Sequence, residues 1–300
     1  MGLTAIVLGA AAGGGFPQWN CRCPVCQLAW DGASNVCART QASLAVSGDG
    51  ERWTLLNAVP DLRSQIRTTT TLHPRGPSRG SPIAAVVLTG AEVDQVSGLL
   101  DLRERQPFDL YGTAQTLDIL RNNAIFDVLA PDVVTRRSIA YGEAFQLPGE
   151  LEAELFAVPG KVPLYLERGA ENLSGEPGAN AGVEIRSGGA RLVFVPGAAD
   201  VTPTLKDRLT GADVVLFDGT LFTDDEMIRT DTGAKTGRRM GHIPIDGDGG
   251  SLAALRGVGK RRIYIHLNNT NPVLIEGSPE RRKVETAGWE VAADGLEIAL

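Results

Sequence analysis

The sequence predicts an α/β fold of the α+β kind, two packed mixed β-sheets flanked by helices. Three observations carry that reading. Short apolar β-type runs recur along the whole chain, helical patterns separate some of them, and others follow one another directly as hairpins. Strict alternation of strand and helix would give a parallel doubly wound sheet, and the hairpins argue against it.

In order, the strand-like runs are TAIVLG (4–9), ASLAVSG (42–48), RWTLLNA (52–58), PIAAVVLTG (82–90), FDLYG (108–112), LEAELFAV (151–158), AGVEIRS (181–187), ARLVFVPG (190–197), ADVVLFDG (212–219) and RRIYIHL (261–267). Helical patterns fall at 60–68, 94–105, 113–123, 201–209 and 249–259. Gly188-Gly189 joins two of the strands and marks a tight turn. The Gly/Pro-rich patches at 74–81 and 169–180 are too short for linkers and read as surface loops. A single domain over 1–300 follows.

Composition narrows the function classes. With 43% apolar residues in 300, the chain can bury a full core, and a net charge of −7 argues against a nucleic-acid surface. No segment reaches the roughly 20 apolar residues needed to span a bilayer. The opening MGLTAIVLGAAAGGG has no basic region before its apolar run and reads as a strand and a glycine loop, not a signal peptide. The expected location is the cytoplasm, without membrane or nucleic-acid partners.

Cys21, Cys23 and Cys26 crowd together in NCRCPVCQ, a spacing that suits a metal better than a disulfide framework. Thiolates favour zinc, and a closed structural site needs a fourth donor from elsewhere. A redox dithiol at Cys23 and Cys26 is the alternative. Cys37 stands apart and reads as a small buried hydrophobe.

A second set of candidates lies where strands end. LTGAEVDQVSGLL (88–100) puts Glu92 and Asp94 between a strand and a helix; ADVVLFDGT ends on Asp218; RRIYIHLNNTNP carries His266; and MGHIPI carries His242. Each alone is an ordinary turn or loop residue, as His73 in TLHPRGP is taken to be. Together they gain weight, because ligands in layered α/β proteins gather at one edge of the sheet.

These stretches resemble the metallo-β-lactamase superfamily, whose signature H-x-H-x-D-H-x-x-G overlays residues 90–98. Asp94 and Gly98 match, whereas Gly90, Glu92 and Gln95 stand where histidines are usual, and Lys161 stands at a further ligand position after FAVPG. Asp218 corresponds to the bridging aspartate and His266 to the last histidine. More specifically, GGGFPQWNCRCPVCQLA, SPIAAVVLTGAEVDQVSGLLDLRERQPF, FDGTLFTDDEM, MGHIPI and IYIHLNNTNPVL with SPERRKV resemble the protein B family of coenzyme PQQ (pyrroloquinoline quinone) biosynthesis, from residue 13 to residue 283.

The resemblance implies an αββα sandwich with its metal site along one edge. It also implies a non-haem iron-dependent oxygenase that hydroxylates the tyrosine ring of a glutamate–tyrosine dipeptide cut from a precursor peptide. The residues agree with a departure from hydrolysis. A dinuclear zinc hydrolase of this fold needs roughly five histidines, and the chain has three, His73, His242 and His266. Few imidazoles among hard carboxylates suit one Fe(II) better than a zinc pair. Asp94, Asp218 and His266 are the expected iron ligands, with Glu92, Gln95 and His242 as further ligand, supporting or acid–base groups. Asn269, three residues past His266, is placed to reach the cysteines and complete a structural zinc site. Lys161, Arg239 and Arg168 are candidate partners for the substrate's carboxylates, and other PQQ biosynthesis proteins are possible partners. Two alternatives stay open: a non-catalytic carrier of PQQ or an intermediate, and a residual metal hydrolase.

Overall fold

In the computed structural model, which describes residues 2–76, 78–161, 163–166 and 180–300, the apolar runs form two seven-stranded sheets. Along the chain the strands are β1 (Thr4–Gly9), β2 (Ser43–Ser47), β3 (Trp53–Leu56), β4 (Ile83–Val87), β5 (Phe108–Gly112), β6 (Val134–Ser138), β7 (Ala144–Leu147), β8 (Leu151–Ala157), β9 (Ala181–Ser187), β10 (Ala190–Val195), β11 (Val214–Asp218), β12 (Arg261–Ile265), β13 (Glu290–Val291) and β14 (Glu297–Ala299). The sheets run β14-β1-β2-β3-β4-β5-β6 and β13-β12-β11-β10-β9-β8-β7. Both are mixed, parallel over β3–β6 and β10–β13 and antiparallel elsewhere. The Gly188-Gly189 turn has φ of 58° and 88° and pairs Ser187 with Ala190, as a two-residue hairpin requires.

Period-2 alternation sets the layers. In β2, Leu44 and Val46 join the core shared by the two sheets, while Ala45 joins the outer core of the first sheet. In β10, Leu192 and Phe194 face the shared core, and Val193 and Val195 face the outer core of the second. Strands buried on both faces therefore read as continuous apolar runs rather than as polar–apolar alternation.

The helices are α1 (Pro24–Trp30), α2 (Leu62–Thr68), α3 (Val93–Val96), α4 (Ala114–Arg121), α5 (Pro203–Leu209), α6 (Glu226–Arg229), α7 (Ser251–Ala254) and α8 (Pro279–Thr286). Leu62 of α2 and Leu117 and Leu120 of α4 pack on the first sheet; Leu205 and Leu209 of α5 and Val284 of α8 pack on the second. Hydroxyl N-caps start α4, α5 and α8: Thr113, Thr202 and Ser278 accept from the amides of Thr116, Leu205 and Arg281.

Three expectations are corrected. The helix at 94–105 is one α-turn at α3 continued as a 3₁₀ turn over Ser97–Leu102. Its register breaks because the Gly98 amide leaves the helix to donate to Ala58 O at 2.9 Å. The helix at 249–259 shrinks to α7, since Gly257 and Gly259 take φ of 82° and 56°. Cys37 is exposed, not buried; its neighbour Val36 takes the core position instead. Of the patch at 169–180, all but Asn180 lies outside the described residues, as does Arg168.

Two contacts tie the two sheets together at the edge where β4 and β12 end. Ala181 N donates to Thr89 O at 2.7 Å, tying the start of β9 to the loop after β4. Ala11 of the glycine loop bridges both Gln41 and Leu267, so the chain after β1 stitches the sheets together. Gly98 fixes the loop after β4: a Cβ there would stand 2.1 Å from Val59 O. Gly98→Ala is therefore expected to destabilise the fold by about 1–3 kcal/mol, as overpacking does. Urea unfolding checks this, with a lowered midpoint at unchanged slope.

Candidate metal centre

Asp218, the last residue of β11, is fully buried, and its charge is met on both oxygens. Oδ2 accepts from Ala198 N at 2.8 Å and lies 2.8 Å from His242 Nδ1. Oδ1 accepts from Thr220 N at 3.0 Å and from Thr220 Oγ1 at 2.6 Å. The Thr220 hydroxyl is also 3.0 Å from His242 Nδ1 and 2.9 Å from His266 Nδ1. One hydroxyl thus touches all three candidate ligands.

Local backbone places each imidazole. A 3₁₀ turn at Arg238–Met240 ends on Gly241, whose φ of 84° turns the chain so that His242 N donates back to Gly237 O at 2.9 Å. His266 follows β12 directly and has φ of 61°, a left-handed conformation that costs about 1–3 kcal/mol in a non-glycine residue. The two rings stack with centroids 5.3 Å apart. Asp94, in the first turn of α3, puts Oδ2 3.2 Å from His266 Nε2. Gly13 of the glycine loop closes over this carboxylate; a Cβ there would be 3.3 Å from Asp94 Oδ2.

Electrostatics follow from the burial. Desolvation alone would push the Asp218 and Asp94 carboxyls up, but the imidazoles and hydrogen bonds outweigh it and hold both below the usual carboxylate range. Desolvation would lower His266, and the Asp94 and Asp218 charges raise it instead.

The ligand atoms of Asp218, His242 and His266 all lie within 4.8 Å of one another. Two imidazoles and one carboxylate form a donor set that fits a divalent first-row metal with positions left open. Above the trio lies a cavity of about 700 Å³ lined by Glu92, Asp94, Gln95, Lys161, Lys235 and Asn268 among others. Gln95, at a usual histidine position, is engaged in holding the loop: its Oε1 accepts from Glu92 N at 3.1 Å and its Nε2 donates to Thr89 Oγ1 at 3.3 Å. It caps α3, which explains an amide there. Arg239 is exposed and is not among the cavity's lining residues, and His73 contacts Arg67 O in a loop of its own.

The cysteines form a separate cluster. Cys21, Cys23 and Cys26 bring their sulfurs within 4.8 Å of one another at the start of α1. The Asn269 side chain reaches them, with Nδ2 3.1 Å from Cys21 Sγ and 3.4 Å from Cys26 Sγ, and its main-chain O is 3.6 Å from Cys23 Sγ. Burial pushes the Cys23 thiol up to about 12, so thiolates at this spot need a cation beside them. Three sulfurs supply three of the four donors of a tetrahedral zinc site, and the oxygen nearest to them is the main-chain O of Asn269.

The sequence reading missed Thr220, Lys235 and Asn268. Thr220 had a signal, since it follows the strand-end Asp-Gly, but a hydroxyl is too common after a turn to be singled out.

The Beta-lactamase superfamily domain matches residues 52–267, more than half of the chain. Coenzyme PQQ synthesis protein B of Methylobacterium nodulans is 54% identical over 299 residues, 99% of this chain and 100% of that protein. The crystal structure of Zn²⁺-bound PqqB from Methylobacterium extorquens superposes with a TM-score of 0.95 at 54% identity, covering 99% of this chain and 100% of that one. The chain belongs to the coenzyme PQQ synthesis protein B family. A diphosphatase of the PhnP family, 20% identical with a TM-score of 0.71 over 100% of this chain and 98% of its own, shares the fold alone.

This member of the PQQ synthesis protein B family has carboxylates whose stabilising effect is present above about pH 4 and is lost as pH falls through their depressed values. The raised His266 contributes fully below about pH 6.5 and loses its effect as pH rises through its folded value. The Tm of the metal-free protein is therefore expected to fall as pH drops below about 4 and to fall as pH rises above about 6.5, and in His266→Gln the alkaline fall should be smaller in the calorimetric profile.

Proposed function

We propose that this chain is an iron- and O2-dependent hydroxylase of PQQ biosynthesis, acting on the tyrosine ring of a glutamate–tyrosine dipeptide released from a precursor peptide. The observation that supports it best is the convergence of Asp218, His242 and His266, two imidazoles and one carboxylate, beneath a cavity. With only three histidines in the chain, a dinuclear hydrolytic site of the usual ligand set is not available.

Bound to this trio, Fe(II) would supply the redox chemistry that activates O2. The chain's own residues bind, orient and neutralise. We take His242 with Asp218 and His266 as the ligands, and Asp94, expected from the sequence as a ligand, lies 3.2 Å from the far nitrogen of His266, where it would fix the orientation of that ring. A cavity of about 700 Å³ has room for a dipeptide. Lys161 and Lys235 offer ammonium groups to its carboxylates, and Glu92 offers a carboxylate to its amine. Ring hydroxylation puts one oxygen atom into the substrate and sends the other to water, so the reaction draws two electrons from an external donor. The cysteine cluster, with Asn269 as fourth partner, takes structural zinc. Free clustered thiols suit a reducing compartment, and the working location is the cytoplasm, beside the other PQQ biosynthesis proteins that prepare the dipeptide. No helix among the described residues is long and apolar enough to cross a membrane.

Protein purified without oxygen and reconstituted with Fe(II) is expected to hold iron and zinc together, to consume O2 with the dipeptide, and to yield hydroxylated tyrosine by mass spectrometry. Zinc alone, with no O2 uptake, would sink the hydroxylase and favour a carrier. Asp94→Asn is expected to weaken iron binding about 10–100-fold, as loss of a ligand-orienting carboxylate does; an unchanged iron affinity in a chelator titration would remove Asp94 from that role.

A further inference from the structure

Glu226 is a buried carboxylate with no place in the chemistry above. It opens α6, is 3% exposed, and burial pushes its carboxyl up to about 7 against the hydrogen bonds it receives. Its Oε2 accepts from Phe222 N at 2.7 Å, and its Oε1 accepts from Thr270 Oγ1 at 2.6 Å. A buried carboxylate is costly to keep, so a chain that places one here gains something from its fixed geometry.

What it fixes is the stretch between the two candidate metal sites. Residues 268–271 each face a different neighbour. Asn268 lines the cavity, and its amide donates to Thr270 Oγ1 at 2.6 Å, while its backbone N donates to Thr220 O at 2.9 Å. Asn269 reaches the three cysteines. Thr270 is held by Glu226. Asn271 donates to Gly219 O at 2.8 Å, beside Asp218. The loop that follows His266 is thereby tied to the loop that follows Asp218, with the cysteine cluster hanging from its middle. Met227, next to Glu226, lines both the cavity and a cleft of about 410 Å³ beside Cys21 and Cys23. Its sulfur lies 3.2 Å from Asn268 Nδ2, so the same clamp sets the wall between the two sites.

We propose that Glu226 is a positioning residue that couples the two sites: through Thr270 it locks residues 268–271, so that filling the cysteine site raises the metal affinity of the Asp218–His242–His266 trio. This rests on the reading of both clusters as metal sites. With residues 268–271 locked, a metal that draws Asn269 toward the cysteines cannot be accommodated by that loop alone. The shift is passed along the short chain of hydrogen bonds to the backbone that carries His266 and Asp218.

The test is a set of Co(II) titrations of the full chain. The thiolate charge-transfer band reports the cysteine site, and the visible d–d bands report the second site after the first is filled with one equivalent of Zn(II). Emptying the cysteine site with Cys23→Ser is expected to weaken Co(II) binding at the trio about tenfold, within the usual range of site-to-site coupling. Glu226→Gln, which keeps the shape but sets an amide donor against one of the two donors the carboxylate accepts from, should weaken the zinc-loaded trio to the same degree. Combined with Cys23→Ser, it should add little more. Thr270→Val should behave like Glu226→Gln, and Thr270→Ser should restore wild-type affinity; these two decide the matter if Glu226→Gln does not fold. Wild-type affinity in Glu226→Gln, or effects of the two changes that multiply, would overturn the coupling. Absence of any Co(II) band from the cysteines or the trio would instead overturn the reading of that cluster as a metal site.

Discussion

The structure at the working edge depends on the charge of Asp218. A carboxylate with no exposed surface has to find its partners inside the protein, and Asp218 finds them in three separate loops. The amide of Ala198 comes from the loop after β10, the amide and hydroxyl of Thr220 from the loop after β11, and the His242 imidazole from the loop closed by Gly241. Backbone bonds tie the same loops, Ile243 N to Ala198 O at 2.7 Å and Asn268 N to Thr220 O at 2.9 Å, so the buried charge and these bonds together gather the loops around one pocket.

The division of labour between the sheets departs from the superfamily signature in a consistent way. Asp218, His242 and His266 all belong to the second sheet and its loops, and from the first sheet Asp94 comes against His266. The positions that would have supplied histidines from the first sheet are used for structure. Gln95 caps α3, and its Nε2 shares the hydroxyl of Thr89, to which Asn57 Nδ2 also donates. The loop keeps its shape through Gly98 and the cap, and the clustered candidate ligands, Asp218, His242 and His266, stand on the other sheet and its loops. Where the signature has histidines this loop carries a helix cap and hydrogen bonds, and the candidate metal position is the one at Asp218, His242 and His266.

How much was legible beforehand depended on whether a residue's role had a local pattern. The ten apolar runs all became strands because burial on both faces needs continuous apolar sequence. The strands left unread were polar edges such as VTRRS in β6, with one buried position of five, and short pairs such as β13 and β14. Helix α8, PERRKVET, buries only Val284, too little to print an amphipathic stripe. At the site, Asp218 and His266 were visible as polar residues ending apolar strands, and the cysteines as a spacing. Thr220 and Glu226 were not, because their importance comes from partners more than 20 residues away in sequence. Arg239 was a candidate partner for the substrate's carboxylates, yet the 3₁₀ turn leaves it exposed.

His266 shows why those distant partners matter. Its left-handed backbone is unfavourable for a residue with a side chain, and it is retained only while the neighbours on either side over-determine it. On one side Ile265 O accepts from Gly219 N at 2.8 Å; on the other, Leu267 is laddered to Ala10 and Ala12 at 2.9 and 2.8 Å, and Asn268 N reaches Thr220 O. The glycine loop, the Asp218 loop and the Glu226 clamp thus all bear on one residue. The strain points the ring so that Nδ1 faces Thr220 and Nε2 faces Asp94, which an ordinary extended continuation of β12 would not do, since its side chain would fall into the alternation of the strand. A substitution that relaxes the backbone there should not be neutral for the site even where it leaves the imidazole in place.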